Sequence, residues 1–225
     1  MKKIRSILKR ITKPFLNAGL KFYYRKPRKY SYRDIEVIVH PEVFPPHLTL
    51  STKILLDFIS ELNLKNKTFL ELGCGCGIIS LLASKKGATV TASDINETAL
   101  EYLGKASDKN NLQVECVYSN LFENLYGKSF DYIIINPPYY PKKPNSIKEQ
   151  AWFCGENFEY FKNLFKQIPQ FISEENQTLM ILSEDCNIKK ITSIVSENNL
   201  SIKAVFELKK MGEINTIFSI KQNDT

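Results

Sequence analysis

The chain has 225 residues, 43% hydrophobic and 24% charged, which excludes a disordered or fibrous class and suits one α/β domain with an extension. Its formal charge of +7 is unevenly spread: residues 1–33 hold twelve Lys and Arg and no acid, leaving 19 basic against 24 acidic residues in 34–225, a net of −5. A mildly acidic body, 34–225, is therefore expected behind a basic N-terminal arm, 1–33, rather than a uniformly basic surface. The five cysteines form no C-x-x-C pair and there are only two histidines, which argues against a disulfide framework, a zinc ribbon or a His-rich metal site. Apolar runs fall well short of the roughly 18 residues that span a bilayer. The N-terminal apolar residues are interrupted by Lys9, Arg10 and Lys13, unlike a signal peptide, so the cytoplasm is the expected compartment.

In chain order, Ile4, Ile7, Leu8, Ile11 and Phe15 recur at helical spacing among Lys and Arg, predicting a short basic amphipathic helix broken near Pro14. Such an arm either packs on the body with a solvated basic face, or contacts nucleic acid or an anionic membrane surface, making the protein peripheral to a membrane. Residues 31–48 read as extended and turn-rich, and a helix is expected from Thr49 or Ser51 with Leu55, Leu56, Ile59 and Leu62 on its apolar face. Strands are predicted at 68–72, 89–93, 112–118, 130–135, 177–183, 201–208 and 213–220, with helices near 78–86, 96–109, 156–168 and 187–198. This alternation means a mostly parallel sheet covered on both faces. Only Lys209-Lys210-Met211-Gly212 joins the last two strands, too short for a parallel crossover, so they form an antiparallel hairpin.

The first of these strands runs into Gly73-Cys74-Gly75-Cys76-Gly77 and then a helix. Glycines there let the backbone turn sharply and let a ligand approach closely, while the helix start offers free N–H groups. Cys74 and Cys76 read as small loop residues rather than redox or metal ligands. Asp94 lies 21 residues past Gly73, at the end of the second of these strands. An acid at that place can take both hydroxyls of a ribose, one per carboxylate oxygen; as a helix N-cap it would have a purely structural use. Loop and acid together favour a nucleoside-bearing cofactor. A dinucleotide fingerprint is spoiled by bulky Ile78, and Glu71 sits badly beside a pyrophosphate but well beside an ammonium group. S-adenosyl-L-methionine carries an ammonium, a ribose and a sulfonium.

The fourth strand ends in Asn136-Pro137-Pro138-Tyr139. Two prolines fix φ and remove two donors, leaving nearby carbonyls as acceptors. Asn136 adds a side-chain acceptor and Tyr139 a flat face on which a planar group can stack. The constellation suits a planar NH2 group, either a carboxamide or the exocyclic amine of a base. Asp131 reads as a structural residue at the strand start. Trp152 either lines an acceptor pocket or fills the core, and Pro141-Lys142-Lys143-Pro144 reads as a solvated loop.

Together, Glu71 through Gly77, Asp94 and Asn136-Pro137-Pro138-Tyr139 resemble the class I S-adenosylmethionine-dependent methyltransferases over roughly residues 43–220, and within them the HemK branch and the wider small-domain methyltransferases. The resemblance implies a Rossmann-like seven-stranded, mostly parallel sheet with a terminal antiparallel hairpin and helices on both faces. It implies Glu71, Gly73, Gly75 and Gly77 around the methionine part of the cofactor, Asp94 on its ribose and Asn120 near its adenine. Asn136 would stand between cofactor and acceptor; with the Pro137 carbonyl and Tyr139 it would hold the acceptor amine. The segment Val43-Phe44-Pro45-Pro46 would lie over the cofactor. Two departures stand out: Asn120 occupies a place where Asp is usual, and the basic arm stands where bacterial HemK proteins carry a helical domain. The first expected function is N-methylation of a protein glutamine amide. Adenine methylation in RNA or DNA, and methylation of a small molecule at a membrane surface, are the alternatives.

Overall fold

The computed structural model describes residues 25–223. The basic helix expected around residues 4–15 lies outside the described residues. The described part opens with an antiparallel hairpin, β1 (Arg28–Tyr32) and β2 (Ile35–Val39), turning at Arg33 with φ +53°. Residues 31–48 are thus more regular than expected. Ile35, Val37 and Val39 alternate inward on β2, and Tyr32 joins them, so the hairpin buries one face against the helices beside it. The Asn110 side chain brackets this strand, accepting from the Glu36 N–H at 3.1 Å and donating to the Glu36 carbonyl at 2.8 Å. Lys29 and Lys109 both ion-pair with Glu36. The boundary expected at 33/34 therefore falls in the turn of a packed hairpin, because apolar alternation continues across it.

A 3-10 turn (Pro46–Leu48) leads into α1 (Leu50–Glu61), then β3 (Thr68–Leu72), α2 (Ile78–Lys85), β4 (Thr89–Asp94), α3 (Glu97–Asn110), β5 (Glu115–Tyr118) and β6 (Tyr132–Ile135). One turn of helix, α4 (Ile147–Gln150), precedes α5 (Glu159–Gln167), β7 (Gln177–Ser183), α6 (Ile188–Glu197), β8 (Leu200–Lys210) and β9 (Glu213–Gln222). Two predicted starts come late for local reasons. Asn111 takes the left-handed conformation and the Leu112 N–H returns to Ser107 at 3.0 Å, so residue 112 closes α3 instead of opening a strand. Phe158, at φ +61°, delays α5 to Glu159.

Seven strands form one sheet in the order β5-β4-β3-β6-β7-β9-β8, parallel except for β9, which is antiparallel to both β7 and β8. The chain starts in the middle, moves outward through β4 and β5, and returns to the other side of β3 as β6. Strand alternation splits the core: Phe69, Val90, Ile134 and Ile181 face α1, α2 and α3, while Leu70, Leu72, Ile133 and Leu182 face α5 and α6. Asp131 locks the base of the central pair, accepting from the Thr68 N–H (2.8 Å), the Thr68 hydroxyl (2.9 Å) and Lys67 Nζ (3.0 Å). Those donors hold its carboxyl below the usual range, consistent with its structural reading.

Gly77 is the point where the glycine loop meets α3. Its φ is +68°, and a Cβ there would lie 2.7 Å from Cδ2 and 2.8 Å from Cγ of Leu103. Substitution must both strain the backbone and displace a fully buried leucine. Gly77→Ala is expected to destabilise the fold by about 2–4 kcal/mol, whereas Gly73→Ala, whose Cβ meets nothing within 4 Å, costs only the backbone term. Denaturant unfolding of the two variants checks this ordering.

Candidate active site at the carboxyl ends of the strands

The parallel register sets the site. Leu72 lies opposite both Ser93 on β4 and Ile135 on β6, so Gly73, Asp94 and Asn136 leave the sheet at one level. Next to them Asp94 is opposite Tyr118, which brings Ser119 and Asn120 to the same rim. Their loops surround a cavity of about 160 Å³ at the switch point between β3 and β6. All of Glu71, Gly73, Gly75, Asp94, Asn120, Asn136 and Pro137 line it, with Val43, Phe44 and Pro46 closing one side. Of the predicted cofactor residues only Gly77 stays outside the lining, its role being the contact with Leu103.

Strand alternation points Glu71 toward α2, where its Oε2 accepts from the Ser80 N–H (2.8 Å) and hydroxyl (2.5 Å). The side of a helix start favours the carboxylate, but Glu71 is 6% exposed, and burial outweighs the two donors and pushes its carboxyl up to about 8. Both donors use one oxygen, leaving Oε1 for a cation or a proton.

Asp94 ties the rim together. Its Oδ2 accepts from the Gly75 N–H at 2.8 Å and its Oδ1 from the Asn96 N–H at 2.9 Å. The helix cap that was the structural reading of Asp94 belongs to Asn96, whose Oδ1 accepts from the Thr98 N–H at 3.1 Å. Each Asp94 oxygen keeps a second lone-pair direction, enough for two vicinal hydroxyls. Burial raises its carboxyl, opposed by the amides of Asn96, Gly75 and Ile95. Gly73, at φ +75°, donates with Cys74 to the Ser93 carbonyl (2.8 and 2.9 Å), and the space its Cβ would fill is open. The buried Ser93 Oγ has no partner. An open cradle, an orphaned hydroxyl, a diol-matched acid and an acid suited to an ammonium together fit S-adenosyl-L-methionine. Asn120 is exposed and turns its NH2 to Glu123 Oε1 at 2.9 Å.

A second cavity, about 150 Å³, shares Phe44, Asn136, Pro137 and Ala151 with the first and extends past Tyr139, Tyr140 and Trp152 to Asp185 and Glu213. The Tyr139 hydroxyl donates to Asn136 Oδ1 at 3.4 Å, steadying that amide. Trp152 packs on Phe44 with ring centroids 4.7 Å apart, so it belongs to a pocket wall. Pro141, Lys142 and Lys143 are exposed, in keeping with a solvated loop, and Lys142 lies over the Phe153 ring.

Neither cavity is lined by a histidine, and no cluster of metal-binding side chains occurs among the described residues. Burial lifts the Cys76 thiol to about 12 and Cys74 well above its usual value, which disfavours the thiolate at both loop positions. The sequence reading missed Ser80, Ser93, Asp185 and Glu213, and also Tyr160, which lines the first cavity. Ser93 and Asp185 were accessible to the rule that ligands sit beyond the carboxyl ends of parallel strands. Tyr160 and Glu213 arrive from a helix and from an antiparallel strand, with no local signal.

The Glu71 carboxyl has a stability consequence. Its pKa is 4.5 in an unfolded chain and about 8 when folded, so the native state keeps a proton that the unfolded state has released. That contribution is fully present below 4.5 and is lost as pH rises through 8. Glu71→Gln is expected to flatten the decline in stability between pH 5 and 8, measured by urea unfolding. An equal slope in both proteins contradicts the assignment.

The similarities to known proteins agree with this geometry. A protein of Methanocaldococcus jannaschii, to which protein N5-glutamine methyltransferase activity is provisionally ascribed, is 41% identical over 146 residues, covering 62% of this chain and 72% of that protein. The ribosomal RNA small subunit methyltransferase C of Haemophilus influenzae is 29% identical over 182 residues, 76% of this chain but 54% of that enzyme. Among solved structures, the Thermus thermophilus 16S rRNA N2 G1207 methyltransferase superposes with a TM-score of 0.63 at 17% identity, covering 88% of this chain and 51% of that one. The Encephalitozoon cuniculi Mtq2–Trm112 complex, described as methylating a translation termination factor, gives 0.59 at 19% identity, with 81% and 99% covered. These two likenesses speak to the fold alone. The methyltransferase small domain model matches residues 34–154, and the chain belongs to that family as a class I S-adenosyl-L-methionine-dependent methyltransferase.

Proposed function

We propose that this methyltransferase transfers its methyl group to the side-chain amide nitrogen of a protein glutamine. The observation that carries the reading is the meeting of two cavities at Asn136 and Pro137, one fitted to the cofactor and the other lined by acceptor groups. The 41% identity to a protein ascribed N5-glutamine methylation supports the same choice.

In this reading Glu71 faces the cofactor's ammonium, Asp94 its ribose, Asn120 its adenine, and Gly73 and Gly75 leave room for its methionine part. Bound S-adenosyl-L-methionine supplies a methyl already activated by a sulfonium, so the protein needs no nucleophile of its own. Asn136 Oδ1 and the Pro137 carbonyl accept the two N–H bonds of the acceptor amide. This aims its nitrogen at near-attack distance, about 3–3.5 Å, and stabilises the positive charge that develops there. Tyr139 offers a stacking face and, through its hydroxyl, fixes Asn136. The proton lost from nitrogen leaves to solvent. The basic segment 1–33 serves as a docking element for an anionic partner, nucleic acid or a membrane surface, independent of the acceptor chemistry.

A second reading, the exocyclic amine of a nucleobase, is favoured by relatives that act on ribosomal RNA. Both readings use Asn136. Asn136→Ala is expected to lower kcat by about 10²–10³-fold while calorimetry still finds cofactor binding near the parent value. Full activity in this variant contradicts the mechanism. Label appearing in RNA and not in protein transfers the mechanism to the second reading.

A further inference from the structure

The second cavity contains acids that the methyl-transfer chemistry does not use. Asp185 follows the carboxyl end of β7, and Glu213 opens β9; the Glu184 N–H bonds the Ile214 carbonyl at 2.8 Å and holds the two stretches together. Both line the cavity that holds Asn136 and Pro137, with Tyr139, Tyr140 and Trp152 as aromatic walls. Among the described residues no Lys, Arg or His lines it and neither carboxylate has a salt bridge. Among the described residues Glu213 Oε1 accepts a neutral amide, from Asn215 Nδ2 at 3.2 Å. The nearby Lys142 is turned onto the Phe153 ring, 4.5 Å from its centroid. Both negative charges bear on the Tyr140 phenol, whose pKa is raised first by burial and then by Asp185 and Glu213.

A second, independent feature points to an occupant. Ser51 is 2% exposed and lines this cavity, and its Oγ, beside the Tyr139 hydroxyl, makes no hydrogen bond of normal geometry. The Oγ1 of Thr49, in the same lining, is likewise buried without a partner. Buried hydroxyls are normally satisfied, and both of these belong to residues of the cavity wall.

We propose that Asp185 and Glu213 form a cation subsite that selects a Lys or Arg side chain beside the methylated residue of a polypeptide substrate, with Ser51 and Thr49 engaging its backbone. The aromatic walls accommodate the aliphatic stem of such a side chain and attract its charge. A nucleotide acceptor would bring a phosphate toward two carboxylates with no cation between them, on a body of net −5. The inference rests on the protein-amide reading above.

The test uses the full-length protein, methyl-labelled S-adenosyl-L-methionine and three glutamine peptides that differ only in carrying Lys, Ala or Glu on either side of the glutamine. For the parent enzyme, kcat/KM for the Lys peptide is expected to exceed that for the Glu peptide by about tenfold or more at low salt, the ratio shrinking as salt is added. In D185N/E213Q the ratio falls toward one, with folding and cofactor binding checked by melting and calorimetry. Should the double variant not fold, the exposed D185N alone gives a partial fall. A parent ratio near one, or a ratio unchanged in the variants, overturns the subsite; if the Ala peptide is still methylated, the glutamine reading survives that result. No label in any peptide, with label in RNA, overturns both.

Discussion

The site depends on one constraint, the register of the parallel strands around β3. Leu72 has Ser93 on one side and Ile135 on the other, so three loops of different chemistry leave the sheet together. A glycine turn, an acid and an Asn-Pro corner become neighbours although 63 residues separate Gly73 from Asn136. A slip of β3 by one residue would turn Glu71 to the opposite face, and a slip of β3 or β4 would separate Asp94 from the amide of Gly75. Two carboxylates reinforce the register they rely on: Asp131 clasps β3 to β6 at the base, and Asp94 clasps the glycine loop to the end of β4 at the top.

That arrangement divides labour between two adjoining spaces. The first has groups of fixed orientation, several already holding one backbone donor and keeping a second direction for a ligand. The second is formed where α1, β7 and the β8–β9 hairpin converge, and is rich in acceptors that hold few donors of their own. Asn136 and Pro137 belong to both. A planar nitrogen presented there would find its acceptors on one side and the activated methyl on the other. On the proposed reading, orientation and electrostatics are the protein's contribution to a transfer whose methyl is already activated.

Much of this was legible in the chain because the signals are local. The run from Glu71 to Gly77 encodes a strand, a turn of positive φ and a helix start in seven residues. The four residues Lys209-Lys210-Met211-Gly212 allow only a tight turn, and β8 and β9 pair around it. Asp94 was legible as an acid at a strand end, but its backbone partners and the transfer of the capping role to Asn96 required coordinates. Residues 31–48 read as extended and turn-rich, but the pairing of β1 with β2 is hidden because the first strand is strewn with Lys and Arg, and its apolar face emerges only when Tyr30 and Tyr32 are counted with Ile35, Val37 and Val39. Glu213 and Tyr160 reach the site through tertiary packing, and no motif marks them. Charge was misleading as a total and informative when partitioned, since the acidic body and the acidic second cavity share a sign opposite to that of residues 1–33.

The most direct test is to supply the full-length protein and methyl-labelled S-adenosyl-L-methionine to a fractionated cell extract and identify the labelled residue. The account predicts label in protein that acid hydrolysis releases as methylamine, as a methylated side-chain amide must. Label confined to nucleosides, or to material that releases no methylamine, would contradict it.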